Sequence, residues 1–143
     1  PDQAMPELLP TIPAPHSALE LALKITDTPL FRQCLQMTAG IWLYVDDLFK
    51  SHSVSQGLAD LSGVAWHAIM HRREGDFTNS RYWLDRGRHH RAFTGIPGYD
   101  PMAFVQQVQD AQGRDVEELV ELQRREWWSL FAYCADRAPA GPG

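Results

Sequence analysis

The sequence predicts an all-α protein, a compact bundle of about six helices built from stacked helical hairpins. Three observations predict it. Apolar residues recur three and four apart through most of 17–137, the spacing of a helix face. Cap-then-proline pairs, Thr28-Pro29 and Asp100-Pro101, mark helix starts. No stretch alternates apolar and polar residues for long enough to make a strand. At 143 residues and 44% hydrophobic composition, the chain suits one domain with a sizeable core.

Taken in order, residues 1–16 carry Pro1, Pro6, Pro10, Pro13 and Pro15, which forbid a regular helix, so an extended arm is expected, lying on the surface or disordered. Ser17 to Glu20 has capping-box spacing and opens a short helix to about Ile25. Thr28 and Pro29 begin a long amphipathic helix to about Lys50, with Phe31, Cys34, Leu35, Thr38, Ile41, Trp42, Val45, Leu48 and Phe49 on its inner face. Gly40 within it permits close helix contact. Ser51 or Ser53 caps a further segment, and Ser62-Gly63 marks a turn.

A helix from Val64 to Glu74 follows, ended by Gly75 at a left-handed position. Asp76 caps the next helix, which runs to Arg86 with Gly87 as its stop, so the two form a tight hairpin. Residues 88–99, with Gly95, Pro97 and Gly98, read as a loop. Asp100-Pro101 starts a helix with Phe104, Val105 and Val108 inward, and Asp115 to Glu118 caps the last one. Trp127 and Trp128 are adjacent, so only one of them faces the core. Residues 138–143 read as a flexible tail. The hairpins resemble tetratricopeptide stacking at most, since no 34-residue self-similarity is present.

Charge and cysteine usage narrow the function. A net charge of −5 argues against general nucleic-acid binding. Within it, residues 66–91 hold six arginines (Arg72, Arg73, Arg81, Arg86, Arg88, Arg91) against Glu74, Asp76 and Asp85, which makes either an anion-attracting pocket or a set of ion pairs with Asp46, Asp47 and the last helix. Cys34 and Cys134 stand far apart and outside any Cys-x-x-Cys pair, which points to a reduced, cytoplasmic protein. No apolar run reaches the roughly 20 residues of a membrane span, and no basic segment followed by an apolar one opens the sequence.

The stretch Trp66 to Asp76 carries the chemistry. At about 100° per residue, His67, His71 and Glu74 fall within roughly 60° of each other, with Trp66, Ile69 and Met70 opposite. Two imidazoles and a carboxylate on one face form a candidate divalent-metal set, completed by His52 or by His89 or His90. Zinc suits histidines with a carboxylate and an open position that activates water; iron(II) suits two histidines and one carboxylate. The spacing is not His-Glu-x-x-His, so no metalloprotease reading follows. A metal-free alternative makes His71 or His52 a general base oriented by Asp46 or Asp47, with Glu74 beside it and Arg72 or Arg86 stabilising an anion. Asn79 and Tyr82 complete the ligand-binding set with Asp46, Asp47 and Arg86. In the bland reading, the histidines belong to a hydrogen-bonded structural network.

The segment from Trp66 to Asp76, followed by Asn79, Tyr82-Trp83 and Arg86, resembles the signature of a family of small bacterial and fungal proteins with no assigned activity. Asp46-Asp47-Leu48, Ser51-His52, Gln56 and Gln123 to Trp127 extend the resemblance over about 42–134. The sequence departs from that pattern at Asp85, where a basic residue is usual, and at His89-His90, where a histidine is usually followed by proline. The resemblance brings no reaction with it. Two functions are therefore expected: a polar pocket binding a metal ion or small anionic ligand, with catalysis in view, or a non-enzymatic helical interaction module, a homo-oligomer among the options. The first demands that the 46–52 region meet 67–74. A third reading, arginine-based nucleic-acid binding, runs against the net charge.

Overall fold

The computed structural model describes residues 4–139, whose regular structure is all helical, with no strand among them. Nine helices follow in chain order: α1 (His16–Thr26), α2 (Pro29–Gln33), α3 (Leu35–Tyr44), α4 (Leu48–Ser55), α5 (Leu61–Arg73), α6 (Phe77–Gly87), α7 (Arg91–Thr94), α8 (Pro101–Ala111) and α9 (Glu117–Asp136). None is long and apolar enough to cross a membrane.

Helix α5 runs through the centre. Every residue from Ser62 to Arg73 is buried, so it has no solvated stripe, and its apolar side supplies Ala65, Trp66, Ala68, Ile69 and Met70 to the main core. Against it lie α3, with Ala39 and Leu43, and α9, with Trp127, Leu130 and Cys134. A second cluster joins Phe104, Val108 and Ala111 of α8 to Val120 of α9 and to Leu8 of the N-terminal segment. Gly40 is where α3 approaches α5: a Cβ there would stand 2.8 Å from the Trp66 ring and 3.2 Å from Phe131. The bare α-carbon also leaves its carbonyl open to accept the Trp127 indole N–H at 2.8 Å.

The α5–α6 hairpin forms as expected. Gly75 turns the chain at φ +84°, and Asp76 caps α6 by accepting the Asn79 N–H. Ser80 Oγ ties the two helices by donating to the Ala68 carbonyl at 2.7 Å. Asp100 caps α8 twice, accepting from Met102 and Ala103, with Pro101 at the first position.

Several expectations need correction. The single helix over 29–50 is three pieces, interrupted at Cys34 (φ −129°, ψ 82°) and at Asp46, which takes a left-handed φ of 62°. Its periodicity persists because each piece packs residues against the same core, Phe31 from α2, Met37 from α3 and Leu48 from α4, but Leu35 and Phe49, expected inside, are exposed. The left-handed turn brings the Asp46 carboxylate within 2.6 Å of Arg73 and frees Asp47 to cap α4 through the Lys50 N–H. Ser51 and Ser53 therefore sit inside α4, where Ser51 Oγ donates to the Ala39 carbonyl.

Neither Ser17 nor Asp115 caps a helix. Ser17 lies within α1, and Asp115 instead accepts the Leu8 N–H at 2.8 Å. Within the 88–99 loop, α7 forms with His90 as its cap, Nδ1 accepting the Ala92 N–H. Finally, the proline-rich segment is part of the fold. Met5 and Leu8 are buried, and the carbonyls of Ala4, Met5 and Glu7 accept from Arg124, Gln123 and Arg73. Prolines that cannot form a helix leave exposed carbonyls, and buried arginine and glutamine donors use them. Of the expected tail, Ala138 packs on the core, while 140–143 and residues 1–3 of the arm lie outside the described residues.

Candidate functional site

Three imidazoles converge. His67 and His71, one turn apart on α5, stack at 4.7 Å between ring centroids with 25° between planes. His52 on α4 meets both edge-on, at 4.9 Å from His67 and 5.3 Å from His71. One nitrogen from each ring lies within 4.8 Å of the others. The caps explain the placement: Asp47 starts α4 so that His52 falls five residues later, over the face of α5 that carries i and i+4.

The setting favours a neutral His67. His67 is 5% exposed and is stacked on its other face by Trp83 of α6, at 4.3 Å and 23°. Burial, then the nearby His71 and His52, pushes its pKa down to about 4, so it is unprotonated at neutral pH. His71 is bonded through Nδ1 to Glu74 Oε1 at 2.7 Å. Glu74 itself follows α5 and has an exposed side chain. His71, Glu74 and Asp76 also bring one potential ligand atom each within 4.8 Å. Both Asp76 oxygens, however, accept from Asn79, which holds that carboxyl below its usual range and commits it to capping α6.

The other site candidates go elsewhere. Asp46 and Asp47 serve Arg73 and the α4 cap, so neither orients a histidine. Arg72, expected to stabilise an anion, points into the core. Its Nη1 and Nη2 donate to the two Glu126 oxygens at 2.8 and 2.9 Å, and Nη2 also reaches Gln123 Oε1 at 3.2 Å. Tyr99 donates its hydroxyl to the same carboxylate, and Phe104 lies under the guanidinium at 4.5 Å. Asn79 is exposed and bonded to Asp76, Tyr82 is exposed against Trp83, and Arg86 lies over Trp83 at 5.6 Å. Arg81 donates to Gln106 and Gln109. Arg72 and Arg73 are thus buried and paired, while Arg86, Arg88 and Arg91 of the same stretch are exposed.

His89 is exposed and His90 is buried against Ser62, 2.9 Å from its Oγ, so neither joins the cluster. Because His90 Nδ1 accepts the Ala92 N–H, its Nε2 is the protonated nitrogen and donates to Ser62; the pair is not a base and a nucleophile. Their neighbourhood is a cleft of about 330 Å³ shared with Cys34, Cys134 and Tyr133. Burial pushes the Cys134 thiol up to about 11, and both cysteines are free and buried. The three converging histidines lie apart from this cleft, on α4 and α5 with Trp83 of α6 against His67.

Sequence reasoning offered arginines paired with Asp46 and the last helix, which Arg73–Asp46 and Arg72–Glu126 realise, but missed Gln123 and Tyr99 as members of that network and the stacking role of Trp83. The first had a signal: Gln123 and Glu126 fall on the same helical stripe as Val120, Trp127, Leu130 and Cys134, so polar side chains had to be buried and partnered. Comparison of the chain with known protein families, curated proteins and solved structures finds no match.

Proposed function

We propose that His52, His67 and His71 bind a divalent metal ion, zinc by preference, in a three-histidine centre with an open position for water. The observation that carries this reading is the convergence of three imidazoles from two helices, with nitrogens within 4.8 Å of one another. Zinc–nitrogen bonds of about 2.0–2.1 Å place tetrahedral donors about 3.4 Å apart, so ring rotations of roughly an ångström close the site. Half-buried His52 is the ring with room to make them. The low pKa of His67 supports the reading, because a proton does not compete with metal there at neutral pH. Three neutral imidazole ligands would leave the ion its full charge, and an ion so held would supply an activated water for attack on an electrophile. Metal-assisted hydrolysis or hydration is the reaction class this predicts.

A small anion is less well served, since Arg72 and Arg73 are occupied, and it enters as a ligand of the metal. The family resemblance over 42–134 and a cytoplasmic setting for the two unbridged cysteines belong to the same proposal. A second reading, a tetratricopeptide-like interaction module that self-associates, draws on the exposed Leu21, Leu23, Leu30 and Leu35 of α1–α3 and on exposed Trp128.

Elemental analysis of untagged protein purified without chelator separates the two. Near-stoichiometric zinc, iron or manganese that is lost in folded His67→Ala and His71→Ala variants supports the metal centre. A wild type without metal even after reconstitution transfers the weight to the interaction module.

A further inference from the structure

We infer that Glu74 is a positioning residue for His71 rather than a metal ligand. The inference rests on the metal reading and deepens it. His71 offers two nitrogens, and Nδ1 is already engaged by Glu74 Oε1 at 2.7 Å. A carboxylate accepts, so in the neutral ring this contact makes Nδ1 the donor and leaves the lone pair on Nε2. That is the tautomer a metal-bound histidine needs, with its far nitrogen donating to an oxygen.

The fold dictates this division of labour. His71 lies in the last turn of α5 and Glu74 immediately follows the helix, so a spacing of three carries the carboxylate back alongside the ring. Gly75 then turns the chain away at once, and the Asp76 N–H donates to the His71 carbonyl at 2.9 Å, so the helix end and the residue after it are fixed on either side of Glu74. His71 itself is buried and stacked on His67. The pairing is thus held at the ring by packing and at the carboxylate by the helix end. His67 is held differently, through the parallel face of Trp83. The two α5 ligands are oriented by separate devices, one a charged hydrogen bond and the other an aromatic stack.

Two readouts test the inference, and only one depends on metal. In metal-free protein at pH 7.5, the nitrogen chemical shifts of the His71 ring report its tautomer. Wild type is expected to show Nδ1–H, Glu74→Gln to retain it through the amide oxygen, and Glu74→Ala to lose the preference. In zinc titration against a competing chelator, removal of such an outer partner lowers affinity about 10- to 100-fold. The expected order is wild type, then Glu74→Gln, then Glu74→Ala, with His71→Ala weakest; circular dichroism confirms that each variant is folded.

An Nε2–H tautomer in the wild type overturns the inference, as does zinc affinity in Glu74→Ala within twofold of wild type. A Glu74→Ala loss equal to that of His71→Ala overturns it too, since it makes Glu74 a ligand. If wild type binds no zinc, the metal reading fails while the tautomer measurement still decides whether Glu74 sets the ring.

Discussion

Replacing Glu126 by alanine is expected to remove a large part of the stability of the fold. The carboxylate is 1% exposed and accepts two hydrogen bonds from Arg72 and one from Tyr99, all in the interior between α5, α8 and α9. Its loss leaves the Arg72 guanidinium charged and buried with Gln123 as its remaining side-chain acceptor. Breaking one side of a buried pair costs about 3–5 kcal/mol, and an orphaned hydroxyl about 1–3 kcal/mol. The two overlap, so the expected loss is about 4–6 kcal/mol, against a typical total of 5–15 kcal/mol for a domain.

Urea unfolding at 25 °C, followed by far-ultraviolet circular dichroism, measures it directly. Glu126→Gln keeps the shape and one acceptor and falls between the two. The double variant Arg72→Met, Glu126→Leu removes both charges and is expected to recover to within about 1–3 kcal/mol of wild type, the cost of the orphaned Tyr99 hydroxyl, because a buried pair is often no better than a packed apolar one. A Glu126→Ala protein within about 1 kcal/mol of wild type, or a double variant as unstable as the single, refutes the reasoning.

Two further predictions follow from the core and the histidines. His67 is held at about 4 in the folded chain against 6.5 in the unfolded one, so the unfolded state binds the extra proton first. This contribution to stability is complete above about pH 6.5 and is lost as pH falls towards 4. It amounts to roughly 2–3 kcal/mol after allowance for water reaching the ring; a His67→Phe variant lacks this slope in urea unfolding from pH 7 to pH 4, and an unchanged slope contradicts the assignment. Gly40→Ala puts a methyl group 2.8 Å from Trp66 and displaces Trp127 from its carbonyl, with an expected loss of about 1–3 kcal/mol in the same assay, whereas a neutral result would mean that α3 and α5 separate freely.

The fold class was legible because helical periodicity and cap signals are local. The α5–α6 hairpin, with Gly75 and Asp76, and the start of α8 at Asp100-Pro101 come from backbone rules that neighbours do not override. The breaks at Cys34 and Asp46 were not legible. An aspartate in a left-handed turn costs little locally, and its reward is a partner, Arg73, that stands 27 residues away in sequence. The same holds for the N-terminal segment: its prolines exclude a helix, but only the fold reveals the buried donors that its carbonyls satisfy.

At the site, the i, i+4 pair on α5 was readable, with His52 one of three histidines offered as its third member. The carboxylates were not assignable by residue type. Asp46 and Asp47 became an ion pair and a cap, Arg72 turned to Glu126, and Glu74 went to His71 Nδ1, each decided by which neighbour the packing supplied.

The central claim is that His52, His67 and His71 share one ion, and anomalous diffraction from crystals grown with zinc, recorded on both sides of the zinc absorption edge, tests it most directly. The account predicts one strong peak per chain between the three rings, about 2.0–2.1 Å from a nitrogen of each. A peak elsewhere on the chain, or none at this cluster, contradicts it.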